Sequence, residues 1–181
     1  MKNSLKTIQT LSRIGRVFSK VVWICCIVGA AGCLVGIASL AVGVNEVFKI
    51  GGVTIHGLIE YEAGMSIGSM YASMTVGMIL CLGELALALF AERYFKNELK
   101  AGTPFTFDGA NEMKRLGILA ICIPVGTSIL AQIAYQSIKV FFLNVESMHI
   151  DDFASIGLGI AFLVISVLLR YGAQLNAGNA E

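Results

Sequence analysis

Apolar positions gather into four long runs along the chain, separated by short polar stretches. A helix rises about 1.5 Å per residue, so about 20 apolar residues cover the ~30 Å hydrocarbon core of a bilayer. The runs at about 21–44, 65–91, 116–138 and 153–171 meet or approach that length. The first, VVWICCIVGAAGCLVGIASLAVGV, follows five basic residues, as a secretory signal would. Its apolar part exceeds the roughly 7–15 residues of a signal core, so it reads as an uncleaved span. The pattern predicts an all-α integral membrane protein, a four-transmembrane-helix bundle forming a single membrane domain over 1–181. Residues 92–115 become the polar connection between the second and third spans.

The segments between spans differ in kind. After the first span, VFKI and VTI flank Gly51-Gly52, a two-residue turn signal between alternating strands. This predicts a small extracytoplasmic β-hairpin. The segment NVESMHIDD after the third span is short. His56 lies near Glu60 and Glu62, and His149 near Asp151 and Asp152, but without the tight spacing of zinc ligands. These are read as solvated loop residues, and no metal site is expected.

Charge orients the spans. Lys2, Lys6, Arg13, Arg16 and Lys20 precede the first, and Arg93, Lys96, Lys100, Lys114 and Arg115 lie between the second and third. Arg170 follows the fourth, leaving only Lys49 and Lys139 at the other end. Lysine and arginine are retained on the cytoplasmic side, so both termini and the 92–115 connection are predicted to be cytoplasmic.

Composition agrees with the membrane reading. The chain is 56% hydrophobic and 14% charged, with mean hydropathy +0.79, whereas a soluble domain carries roughly a quarter charged residues. A net charge of +1 argues nothing about nucleic acid, and no direct nucleic-acid binding is expected. Cys25, Cys26, Cys33, Cys81 and Cys122 all lie in apolar runs without a Cys-x-x-Cys pair, which argues against thiol exchange. The chain contains no His-Glu-x-x-His and no carboxylate pair within a span. No enzymatic activity and no cofactor are expected.

Membrane helices associate through close backbone contact and hydrogen bonds, which small residues permit. Gly29, Gly32 and Gly36 on the first span are candidates, as are Ser69, Ser73, Gly77 and Cys81 on the second and Gly157 with Ala161 on the fourth. They predict a bundle seam, with a homo-oligomer as the other use. Met70, Met74 and Met78 form a neighbouring stripe, read as packing. Pro124 is expected to kink the third span. Gln132, Tyr135, Gln136 and Lys139 recur at helical spacing and are expected to face helices or water. Glu84 stands inside the second span, in line with Gly77 and Cys81, which predicts an interior orientation with Lys20 or Arg170 as partner.

The 92–115 connection reads ERYFKNELKAGTPFTFDGANEMKR. Charge spacing extends the second helix to Lys100, Gly102 and Pro104 stop it, and Asp108 can cap a helix leading into the third span. Phe105 and Phe107 flank the corner, with Phe105 expected either to wedge into the bundle or to anchor a partner. The stretch ELKAGTPFTFDGANEMKRLGILAI resembles the signature of a family of small bacterial four-span membrane proteins, domain of unknown function family 2975. Matching positions are Gly102, Pro104, Phe105, Thr106, Arg115, Leu116 and Gly117. The resemblance implies a bacterial inner or plasma membrane. It also implies a regulatory or interaction role through this connection, on a partner such as a cytoplasmic helix-turn-helix regulator. The other reading is a small transporter, channel or immunity-type protein using Glu84, Gln132, Gln136 and Arg170.

Overall fold

The computed structural model describes residues 2–42, 46–50, 53–56, 66–103, 105–142, 145–146 and 153–178. Four helices account for most of them: α1 (Lys2–Val42), α2 (Ile67–Ala101), α3 (Phe107–Phe141) and α4 (Phe153–Gly178). Each contains a window long and apolar enough to cross a membrane, so the chain is a multi-pass membrane protein. The helices outrun the apolar runs that nucleate them. At 41 residues, α1 is roughly 61 Å long, about twice the hydrocarbon thickness. Its basic first half is therefore helix beyond the span. Helix α2 carries on from its apolar part through Glu92 to Ala101. Helix α3 passes through the buried Pro124 without interruption. Strands β1 (Glu46–Ile50) and β2 (Val53–His56) pair antiparallel, with the register shifting between Glu46 and Phe48. Gly51 and Gly52, where the turn is expected, lie outside the described residues, as do 57–65 and 147–152 with Glu60, Glu62, His149, Asp151 and Asp152.

The chain divides into two compact units. The first comprises Met1–Ile24, Glu84–Val125 and Asp152–Glu181, so it draws on all four helices. Its core joins Tyr94, Ala110, Met113, Leu116 and Leu169. Ser12 meets Glu98, Gly15 meets Phe95 and Lys20 meets Glu92, so α1 and α2 run antiparallel. Gly117 meets Leu163 while Gly172 meets Phe105, which sets α4 antiparallel to α3. The expected Gly157/Ala161 seam of the fourth span is not the one used. Gly157 faces open space and Ala161 is exposed, whereas Gly159, Ser166 and Ala173 are buried. Those three recur every seven residues, two helical turns, and keep one face on the neighbouring helices. Two residues' displacement turns Gly157 well away from that face.

The second unit comprises Cys25–Gly83 and Gly126–Asp151. Ala72, Val76, Ala131, Tyr135 and Val145 form its core. Here the glycine and cysteine positions of α1 and α2 do meet: a Cβ on Gly29 would lie 3.1 Å from the Cys81 sulfur, and one on Gly77 3.5 Å from that of Cys33. Gly36 receives the Met74 side chain, whose sulfur would be 2.6 Å from an added Cβ. Met70 and Met74 are buried, so within this unit the methionine stripe is packing. Ser66 caps α2, its hydroxyl accepting from Ser69 N at 3.1 Å. Glu146 N donates to Ser69 Oγ at 3.0 Å and Tyr135 Oη donates to Glu146 O at 2.7 Å, tying the end of α3 to the start of α2.

Large apolar side chains cover the outside, among them Leu11, Phe18, Val28, Ile129, Val167 and Leu168. In water this would be an aggregation surface; in lipid it is the solvent-facing side.

The glycines yield a paired prediction. A Cβ on Gly117 would sit 3.0 Å from the backbone nitrogen of Leu163 and 3.1 Å from Gly159 O, atoms that cannot rotate away. Gly117→Ala is expected to destabilise by about 1–3 kcal/mol, the scale of overpacking. Gly126 has nothing within 4 Å of its would-be Cβ, so Gly126→Ala should stabilise by about 0.5–1 kcal/mol through helix propensity. Thermal melting in detergent checks both; equal shifts in one direction would contradict the packing.

Candidate functional site

The charged end of the first unit holds the candidate site. Helix α2 closes with a glycine because Gly102 adopts φ 74°, a left-handed conformation that costs a side-chain-bearing residue more. Its amide donates to Glu98 O at 3.1 Å. Its carbonyl accepts from Gln9 Nε2 at 3.1 Å, so α1 is tied to the corner. Helix α3 then opens on Thr106, whose hydroxyl accepts from Gly109 N at 3.0 Å. This corrects the expectation that Asp108 is the cap. Asp108 lies inside the first turn, where its charge still favours the helix N-terminus. Threonine takes the cap because it stands three residues before the free Gly109 amide. Phe105 lies against α4: a Cβ on Gly172 would be 2.5 Å from its ring. The wedge reading of Phe105 is thus the one its packing supports, although the ring remains 36% exposed. Pro104 lies outside the described residues.

Beneath the corner, side chains of three helices bond to one another. Ser12 Oγ donates to Glu98 Oε1 at 2.8 Å. Asn97 Nδ2 donates to Glu112 Oε1 at 2.7 Å. Tyr94 is buried and lies within the electrostatic reach of both acids. All belong to the charged continuation of α2 past Ala91 or to the helix ends facing it. Burial pushes the Glu98 carboxyl above the ordinary carboxylate range, opposed by the Ser12 and Tyr94 hydroxyls, which favour the ionised form. Sequence reasoning did not single out this network. Its members look like ordinary helix-surface polar residues, and only the four-residue spacing of Tyr94 and Glu98 hints that they share a face.

Of the intramembrane candidates, Glu84 is placed differently from expectation. Glu84 is exposed, and the buried positions beside it are Gly83 and Ala88. A Cβ on Gly83 would be 2.4 Å from the Thr127 side chain, so the contact face at this level runs through Gly83. Glu84 is one residue, 100° of helix, away from that line. Lys20, its expected partner, lies 3.7 Å from Glu92 instead, and Arg170 is exposed. In the other unit Gln132, Gln136 and Lys139 are exposed while Tyr135 is buried. The α3 stripe therefore splits: the tyrosine packs inward and the amides and amine face out.

Arg93 and Arg115 are exposed at the same end of the first unit and line one cleft of about 70 Å³ with Glu112, Phe90, Leu116 and others. Among the described residues no group of three or more His, Cys, Asp or Glu side chains is placed to hold a metal. No protein-family model, curated protein or solved structure matches the chain.

Glu98 supplies a pH prediction. Its folded pKa is raised above the unfolded value, so its contribution to stability is full below the ordinary glutamate range and is lost as pH rises through the folded value. Melting of the wild type in detergent should therefore fall across that interval, and Glu98→Gln, which retains an acceptor for Ser12, should flatten the fall. An unchanged slope in the variant would assign the dependence to other groups.

Proposed function

We propose that this chain is a regulatory or interaction protein of a bacterial inner or plasma membrane, with both termini cytoplasmic, acting through the 92–115 connection on a soluble partner. The resemblance to domain of unknown function family 2975 and the asymmetry of lysine and arginine support the setting. The hairpin then belongs to the extracytoplasmic side. The observation that carries the role is the build of the corner. Gly102, Thr106, Gln9 and the Ser12–Glu98 bond hold its backbone from three directions, while Phe107 beside them stays 48% exposed. A mere connector needs neither this bracing nor an outward aromatic, whereas a docking surface gains affinity from both. Within this reading Gly102, Thr106 and Phe105 shape the surface, and Phe107 presents it. A small helix-turn-helix regulator is the partner class the resemblance suggests.

A transporter, channel or immunity-type role has one observation in its favour. Glu84 is a carboxyl exposed on a span, where lipid is a poor environment for an acid. A second copy or another subunit covering it would give it a purpose, so a homo-oligomer is the form this alternative takes.

Two experiments test the proposal. Alkaline phosphatase fused after residue 55 or 148 should be active, and after residue 104 or 178 inactive; activity at 104 would overturn the orientation. Affinity capture from native membranes followed by mass spectrometry should recover a soluble regulator with the wild type and lose it with Phe107→Ser. Melting of that variant should stay within about 0.5 kcal/mol of wild type, as for other exposed positions. Phe105→Ala should instead lower stability by roughly 1–3 kcal/mol. Recovery of the same partner by Phe107→Ser would remove the corner from the interaction.

A further inference from the structure

Arg93 and Arg115 have no role in bracing the corner, yet the fold brings them together. Helices α2 and α3 run in opposite directions, with Asn97 of one bonded to Glu112 of the other. Arg93 follows Phe90 by three residues on α2, and Arg115 precedes Leu119 by four on α3. Each step is about one helical turn, and because the helices are antiparallel both lead toward the charged end. The cleft they line therefore has two guanidinium groups at its outer level, Leu116 next to Arg115, and Phe90 and Leu119 a turn deeper. Phe90 is 42% exposed, so the apolar floor opens onto the lipid-facing surface of the span; Ile118, 45% exposed, lines a neighbouring cleft.

We propose that this cleft binds the phosphate of an anionic glycerophospholipid, with the acyl chains lying along the Phe90 and Ile118 side. Charge selects the phosphodiester. Glu112, held by Asn97 at 2.7 Å, offsets one of the two arginines, leaving about one positive charge for the single negative charge of a diester phosphate. Lys114 lines an adjoining cleft that shares Glu112 and Arg115, and adds attraction at longer range. Guanidinium groups suit the task because their fixed fork of N–H donors matches phosphate oxygens two at a time. Size agrees: about 70 Å³ admits a phosphate-sized group and falls well short of the roughly 300–1,000 Å³ that encloses a metabolite. Basic pockets between membrane helices, at the level where apolar side chains give way to charge, are where lipid headgroups are met.

Native mass spectrometry of the full chain in mild detergent tests this with phosphatidylglycerol, phosphatidylcholine and inorganic phosphate. The wild type is expected to retain phosphatidylglycerol in preference to phosphatidylcholine, and millimolar inorganic phosphate should leave that retention unchanged. Arg93→Gln with Arg115→Gln should weaken phosphatidylglycerol by about thirtyfold, the scale of two basic side chains at an anionic surface. Arg170→Gln, which removes an exposed arginine elsewhere in the unit, should retain it. Both cleft arginines are exposed, so the double variant should melt as the wild type does. If it does not fold, the two single variants decide, each expected to lose part of the affinity. Equal retention of the two lipids by the wild type would overturn the proposal. So would undiminished phosphatidylglycerol binding by the variants, or displacement by inorganic phosphate, which would make the site one for a free anion.

Discussion

Lipid is as apolar as the side chains it solvates, and that constraint governs how these helices associate. Burial of leucine or valine against another helix gains little over burial in acyl chains, so contact must come from close backbone approach and from hydrogen bonds. Glycine is therefore the residue around which each unit is arranged. In the first unit Gly15 and Gly172 are notches for the rings of Phe95 and Phe105, and Gly117 and Gly159 bring two backbones together. In the second, Gly68 receives Phe142, and Gly83 receives Thr127. Large apolar residues are left to the outside, the reverse of a water-soluble domain.

Hydrogen bonding between side chains takes over where the helices leave the hydrocarbon. Ser12 with Glu98, Asn97 with Glu112 and Gln9 with the Gly102 carbonyl all lie at the end of the first unit. These bonds compete with water there, so each contributes about 1 kcal/mol. Their larger effect is geometric, since they bond α1, α2 and α3 to one another at the corner that joins two of them. The Lys20–Glu92 contact at 3.7 Å adds little by comparison, because the lysine is largely exposed and the pair is screened. A braced corner with charged and aromatic residues on its outer side is what the proposed docking role would call on.

The candidate site divides along the same line. Gly102, Phe105 and Thr106 could be picked out as a corner because glycine, phenylalanine and threonine at a helix break each have a local use. Which use each one has depends on the neighbours: Phe105 needs Gly172, and Thr106 needs the Gly109 amide. Glu84 shows the opposite outcome. Its spacing from Gly77 and Cys81 placed it on their face, but that face is only half-buried and the contact line at its level runs through Gly83.

The sequence alone determined that four helices cross a membrane, because a run of some 20 apolar residues has few other stable fates and its length is set by the bilayer. It also determined the break at Gly102, since a left-handed backbone position selects glycine by local sterics. The choice of helix faces was left to the tertiary structure. A span apolar on all sides carries almost no periodic signal, and in lipid no face is driven inward by its hydrophobicity. That is why Gly159 rather than Gly157 meets α3, why Gln132 and Gln136 point away while Tyr135 packs, and why Arg93 and Arg115 share one cleft. Each of these depends on the rotation of one helix against another, a quantity fixed by steric fit among residues distant in sequence.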